Sequence, residues 1–407
     1  MSSNDRRHQW RERSHQESHS QPAGEPADPI AAGPLVSSQP PVMVTTPAAL
    51  AEMIDHLKAA GSFAFDSEFI GERSYEPLVC LVQAATSEKV FLVDPLAGLD
   101  LSSLWELLVC PAVEKIVLAG QQDFTPAALK TLRPPANVMD VQIAAGFVHV
   151  DYPLSLAKLI QEFVAVPLGK APRSSQWDRR PLSAMQVSYA ADDVRYLLAA
   201  RDAIGKRLTE LGCTAWAREE CANAIEDLSL YRPAPEMLYL RVKGRDRLGR
   251  QQLAVLRELT MLRDQAARQA NLPARTLLPD GILLALARRP IRHLDDLDAV
   301  RGLPRPVEVQ HGQQILDATA KALSLGKDQL PPPGPIEDPA LRERVDEIWA
   351  RMGQFCQERS IAPALVASRK EITRLCVASS RGLAAGEHRL LRGWRKELLG
   401  ALLEQML

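Results

Sequence analysis

The sequence lacks the marks of several special classes of protein. Its six cysteines, at positions 80, 110, 213, 221, 356 and 376, form no CxxC pair and no Cys/His spacing suited to zinc. That speaks against a disulfide framework and against a structural metal, and for a reducing compartment. No apolar run is long enough to cross a bilayer, and the basic N-terminal stretch MSSNDRRHQWRERSHQ is followed by no hydrophobic segment. The expectation is a cytoplasmic protein, neither secreted nor membrane-embedded. An excess of one charge is missing too: the formal net charge is -1, so the total points to no partner. What is present is ordinary globular composition, 46% hydrophobic and 24% charged, in 407 residues, enough for two or three domains.

Residues 1–43 are rich in Ser, Gln, His, Pro and Arg and poor in large apolar residues, which predicts a disordered tail. His8, His15 and His19 within it read as solvated side chains, not metal ligands. From residue 44 the pattern alternates between strand and helix. SFAFDSEF, LVCLVQAA (78–85), KVFLVDP (89–95) and KIVLAG (115–120) read as strands. Short gaps among the first three predict an antiparallel meander, and the helical LSSLWELLV (101–109) predicts a crossover into parallel pairing. Helices are expected over 123–132, 140–148, 154–164, 183–210 and near 214–228. An α/β domain thus spans 44–230. Residues 236–323 read as four or five short helices, 324–339 as a Pro-rich linker, and 340–407 as helical again. The fold class is α/β plus all-α.

Within the first strand, GSFAFDSEFIG (61–71), the period of two puts Phe63, Phe65 and Phe69 on one face and Ala64, Asp66 and Glu68 on the other. Two carboxylates side by side repel, and the phenylalanines imply a partly dry setting that raises the cost of ionisation. A divalent cation would answer this, since carboxylate oxygens suit Mg²⁺ or Mn²⁺. Taken alone, a D-x-E reads first as the solvated side of an edge strand. Asp123, in KIVLAGQQDFTPAAL, follows a strand end and alone reads as a helix cap. In YAADDVRYLLAARDAI, Tyr189 and Asp193 are four apart and share a helical face, while Asp192 points about 100° away.

Together the strand D-x-E, the strand-end Asp and the helical Y-x-x-x-D closely resemble the three motifs of the DEDD superfamily of 3′→5′ exonucleases, in its tyrosine-containing branch. The resemblance extends to the ribonuclease D family: FDSEF, AGQQDF and YAADDVRYL match its motifs, and VMDVQIAA, SLAKLI and LGKAPRSSQWDRRPL resemble its landmarks between them. It implies a ribonuclease H-like mixed-sheet exonuclease domain with two Mg²⁺ or Mn²⁺ ions on Asp66, Glu68, Asp123 and Asp193. By the same analogy Tyr189 orients the attacking water, a phenol being a poor base with an ordinary pKa of about 10. The sequence departs from the family where Leu118 replaces a common His and where SQW (175–177) replaces SDW. Asp140, before an apolar helical run, reads as an N-cap instead of a fifth ligand.

Residues 236–323 resemble an HRDC domain, a helical nucleic-acid-binding module, through LGRQQLAVLRELTMLRDQAARQANLPARTLLPDGILLALARRP and DDLDAVRGLP. Residues 236–321 hold fifteen Lys/Arg against ten Asp/Glu, an excess hidden by the neutral total. Residues 340–407 resemble a second, more divergent HRDC-like module, through IAPALVASRKEITRL and LLRGWRKELLGALL, with Trp394 read as core. The expected function is a metal-dependent 3′→5′ exoribonuclease that trims structured RNA such as tRNA precursors and releases nucleoside 5′-monophosphates, with no obligate protein partner. A DNA exonuclease, and a nucleic-acid-binding protein with an inactive nuclease fold, are the competing readings.

Overall fold

The computed structural model describes residues 36–169, 176–332, 339–380 and 388–405. Residues 1–35 of the expected tail with their histidines, Ser175 of SQW and residues 333–338 of the expected linker lie outside it. Among the described residues, no helix is long and apolar enough to cross a membrane.

Among the described residues six strands form one sheet: β1 (Val42–Val44), β2 (Ser62–Ile70), β3 (Leu78–Ala85), β4 (Val90–Val93), β5 (Glu114–Val117) and β6 (Val138–Asp140). Their spatial order is β1-β4-β3-β2-β5-β6. Strand β3 is antiparallel to β2 and β4, giving the expected meander, and β5 pairs parallel with β2 as expected of a crossover. The three-residue strands β1 and β6 were not expected, being too short to carry an alternating pattern.

Helix α1 (Pro47–Ala60) was not expected either, although its signals are complete. Thr46 caps the backbone of Ala49, Pro47 opens the helix, and Gly61 closes it at φ 71°. Its buried side chains, Leu50, Met53, Ile54 and Leu57, follow the helical period. They cover one sheet face, together with α2 (Ser102–Leu108) and α3 (Thr125–Thr131), packing on Phe63, Phe65, Val82, Ala84, Phe91 and Val93.

The other sheet face is covered from α4 (Val141–Ala145), α5 (Leu156–Val164), α6 (Ala184–Arg195), α7 (Leu197–Glu210) and α8 (Thr214–Ile225). The helix expected over 183–210 is broken at Tyr196, whose φ of -100° and ψ of -4° interrupt the ladder. The break lets α6 present Asp193 to the sheet while Leu197, Leu198 and Ala200 of α7 enter the core.

Beyond the sheet the chain is helical. Helices α9 (Arg250–Ala270), α10 (Asp280–Arg288) and α11 (Arg305–Leu323) form a second core around Leu256, Leu259, Leu283, Leu286 and Ile315. At 21 residues α9 is far longer than the short helices expected there, because its apolar positions recur without a Gly or Pro to stop them. Helices α12 (Pro339–Gln357), α13 (Arg369–Ser380) and α14 (Gly393–Glu404) return to the first core: Trp394 is fully buried, its ring 4.8 Å from that of Phe147 in an edge-to-face contact.

One buried ion network fastens this return. Arg395, 2% exposed, donates Nη1 and Nη2 to the two oxygens of Glu220 on α8 at 2.5 and 2.8 Å. Trp394 Nε1 and Arg389 donate to the same carboxylate. Burial pushes the Glu220 carboxyl up, but the bond and charge of Arg395, with Arg389, outweigh it and hold the group below its ordinary value. A carboxyl so depressed stabilises the fold above its unfolded-state pKa and loses that contribution as pH falls through the folded value. Glu220→Ala should cost about 3–5 kcal/mol at pH 7 by stranding Arg395. Urea denaturation should show the gap to wild type narrowing as pH drops below the ordinary 4.5.

Candidate active site

Strand β2 is central in the sheet and buried from Phe63 to Ile70, so the D-x-E is not an exposed edge. Its register sets Asp66 opposite Gln83 and Glu68 opposite Leu81, and pairing shifts by one residue after Glu68. Such bulges re-aim side chains where a strand ends. Helix α6, started by a Ser183–Gln186 capping box, lays Asp193 over the same face. One oxygen from each of Asp66, Glu68 and Asp193 lies within 4.8 Å of the other two, and all three residues are buried. Hard oxygen donors grouped in this way fit a divalent cation such as Mg²⁺ or Mn²⁺.

Asp123 is not one of these three. It is 1% exposed and accepts a 2.7 Å hydrogen bond from Ser67 Oγ, between the two β2 acids. It does not cap α3, which has no side-chain cap. The turn that carries it is tight: Ala119 is left-handed at φ 54°, and only glycine fits at 120, where a Cβ would meet Val117 Cβ at 2.6 Å. Leu118 packs, partly buried, against the main core.

Tyr189 stands one turn before Asp193, half-buried, its ring 6.3 Å from that of Trp177. Trp177 belongs to the WDRRPL segment, whose fastening the sequence did not disclose. Arg180 donates to both Asp94 oxygens at 2.5 and 2.7 Å, and to the carbonyls of Cys80 and Trp177. The available signal was an Asp closing the apolar run KVFLV. Asp178 pairs with Arg73 at 2.5 Å, in the loop after β2. In the same loop Tyr75 Oη donates to Asp264 of α9 at 2.6 Å, beneath the Arg268 guanidinium. The surroundings of Tyr189 are thereby linked to the second core.

Residues 41–209 match the family described as 3'-5' exonuclease, and residues 252–319 match the HRDC domain. Ribonuclease D of Gluconacetobacter diazotrophicus is 34% identical over 367 residues, covering 88% of this chain and 91% of that one. The chain belongs to the ribonuclease D family. The Serratia proteamaculans ribonuclease D is 32% identical, over 90% of this chain and 98% of its own length. The crystal structure of Escherichia coli ribonuclease D, described as an exoribonuclease involved in structured RNA processing, matches with a TM-score of 0.78 at 28% identity. That match covers 90% of this chain and 98% of that one.

Asp140, the acid weighed as an N-cap, ends β6 and caps α4. It accepts from the backbone of Gln142 at 2.9 Å and Ile143 at 3.4 Å, and from Ala119 at 3.1 Å, bracing the turn before Asp123. Burial pushes its carboxyl up to about 6 against these donors. A group raised in the folded state contributes stability that is full below its unfolded pKa and lost as pH rises through the folded one. Asp140→Asn keeps an acceptor and removes the charge. Denaturation curves should show the variant gaining roughly 2–3 kcal/mol on wild type between pH 4 and pH 8, with nuclease activity kept within threefold.

Proposed function

We propose that the chain degrades RNA from its 3′ end one nucleotide at a time, at two divalent cations held by Asp66, Glu68, Asp123 and Asp193. The 3′→5′ exoribonuclease activity itself goes with its family; structured RNAs such as tRNA precursors are the substrates we infer. The observation that carries this reading is the buried convergence of Asp66, Glu68 and Asp193 on one sheet face.

Divalent cations at such a site supply Lewis-acid stabilisation of the charge building on the entering and leaving oxygens. The protein's own part is to present hard donors in fixed positions, with β2 supplying two and α6 a third. Asp123, braced by Ser67, supplies the fourth from the β5 turn. Tyr189, held against Trp177 at the rim, offers its hydroxyl to the attacking water and fixes its line of approach. Hydrolysis in this sense leaves a nucleoside 5′-monophosphate and a new 3′-hydroxyl. The basic stretch RVKGRDRLGR, with Arg241, Lys243 and Arg247 exposed, adds affinity for the phosphate backbone without reading sequence.

Purified protein with Mn²⁺ should shorten a 3′-extended RNA in single-nucleotide steps and release 5′-monophosphates; EDTA should stop it. Asp66→Asn should lose roughly a hundredfold or more in rate. Tyr189→Phe should lose about a hundredfold in kcat with KM for RNA little changed. Full activity in EDTA or in Asp66→Asn, or equal degradation of matched single-stranded DNA, would contradict the proposal.

A further inference from the structure

The strand beside the acids carries a polar side chain that neither packing nor secondary structure explains. Gln83 is fully buried, and among the described residues neither its Nε2 nor its Oε1 has a hydrogen-bond partner. Its strand is otherwise apolar over LVCLVQAA. Buried amides left unsatisfied destabilise a fold, and each calls for an explanation. An apolar side chain of the same length would pack there, since Leu81, Leu92 and Ala190 form one apolar cluster on this face and Ala64, Ala85 and Val90 belong to another.

The register gives the explanation. Gln83 stands directly opposite Asp66 across the antiparallel pair and next to Leu92 on the far side. Directly opposed residues share a face with Cβ atoms about 4.5–5.5 Å apart, within reach of a glutamine carboxamide. The Gln83 side chain therefore leaves the strand beside the first acid of the cluster, on the face that α6 covers. Hydrogen-bond partners of ligating carboxylates orient them and tune their affinity for a cation.

We propose that Gln83 is a positioning residue of the carboxylate site: its carboxamide, which has no hydrogen-bond partner among the described residues, turns to donate Nε2 to the Asp66 carboxylate when a divalent cation binds and holds the acid in that orientation. This rests on the reading of Asp66 as a metal ligand. The stability lost to a buried amide is then exchanged for a fixed ligand, a trade found where function overrides packing.

The test is Mn²⁺ titration of the full-length, EDTA-treated protein, followed by calorimetry and by electron paramagnetic resonance, alongside thermal melting without metal. Gln83→Met keeps the length and removes both polar groups. It should weaken Mn²⁺ binding by about 10–100-fold, melt without metal at or above the wild-type temperature, and recover kcat in excess Mn²⁺. If the Met variant does not fold, Gln83→Leu is read by the same standard. Mn²⁺ affinity within twofold of wild type, while Asp66→Asn abolishes binding, would overturn the role of Gln83 alone. Unchanged binding in Asp66→Asn would instead overturn the metal site, and the role of Gln83 with it.

Discussion

Three carboxylates brought within 4.8 Å of one another in a buried setting set the terms for everything around them. Two unit charges at that distance repel by roughly 3–4 kcal/mol even at an effective dielectric of about 20. A fold that holds such a group together needs a rigid frame. The frame is β2, central in the sheet, with its other face cemented by Phe63 and Phe65 against α1 and α2.

The remaining parts close on that strand from separate directions. Helix α6 brings Asp193 and Tyr189, and the Arg180–Asp94 pair fastens Trp177 behind the tyrosine. The β5 turn brings Asp123, braced by Asp140 through Ala119 and admitted by Gly120. Further out, the Tyr75–Asp264 hydrogen bond ties the loop that follows the β2 acids to α9 of the HRDC helices. The C-terminal helices are locked to the sheet domain by the Glu220–Arg395 pair.

Much of this was legible in the sequence, and the contacts that were not share a cause. The face of Asp66 and Glu68 follows from the period of two, and the pairing of Tyr189 with Asp193 from the helical period; both are local rules. Asp140 as a cap was likewise local. Helix α1 was missed although its signals, Thr46, Pro47 and the Leu50–Leu57 stripe, are local too. The Glu220–Arg395 and Tyr75–Asp264 contacts join residues 175 and 189 apart, and no pattern within a window announces such partners. Gln83 lies between: a polar residue in an apolar strand is visible in sequence, but only the register shows that it faces Asp66.

The central claim is that the clustered acids form a cation site. Anomalous diffraction from crystals equilibrated with Mn²⁺ tests it most directly. The account predicts a Mn²⁺ peak in contact with oxygens of Asp66, Glu68 and Asp193. Ordered Mn²⁺ elsewhere on the protein, with none among these three carboxylates, would contradict it.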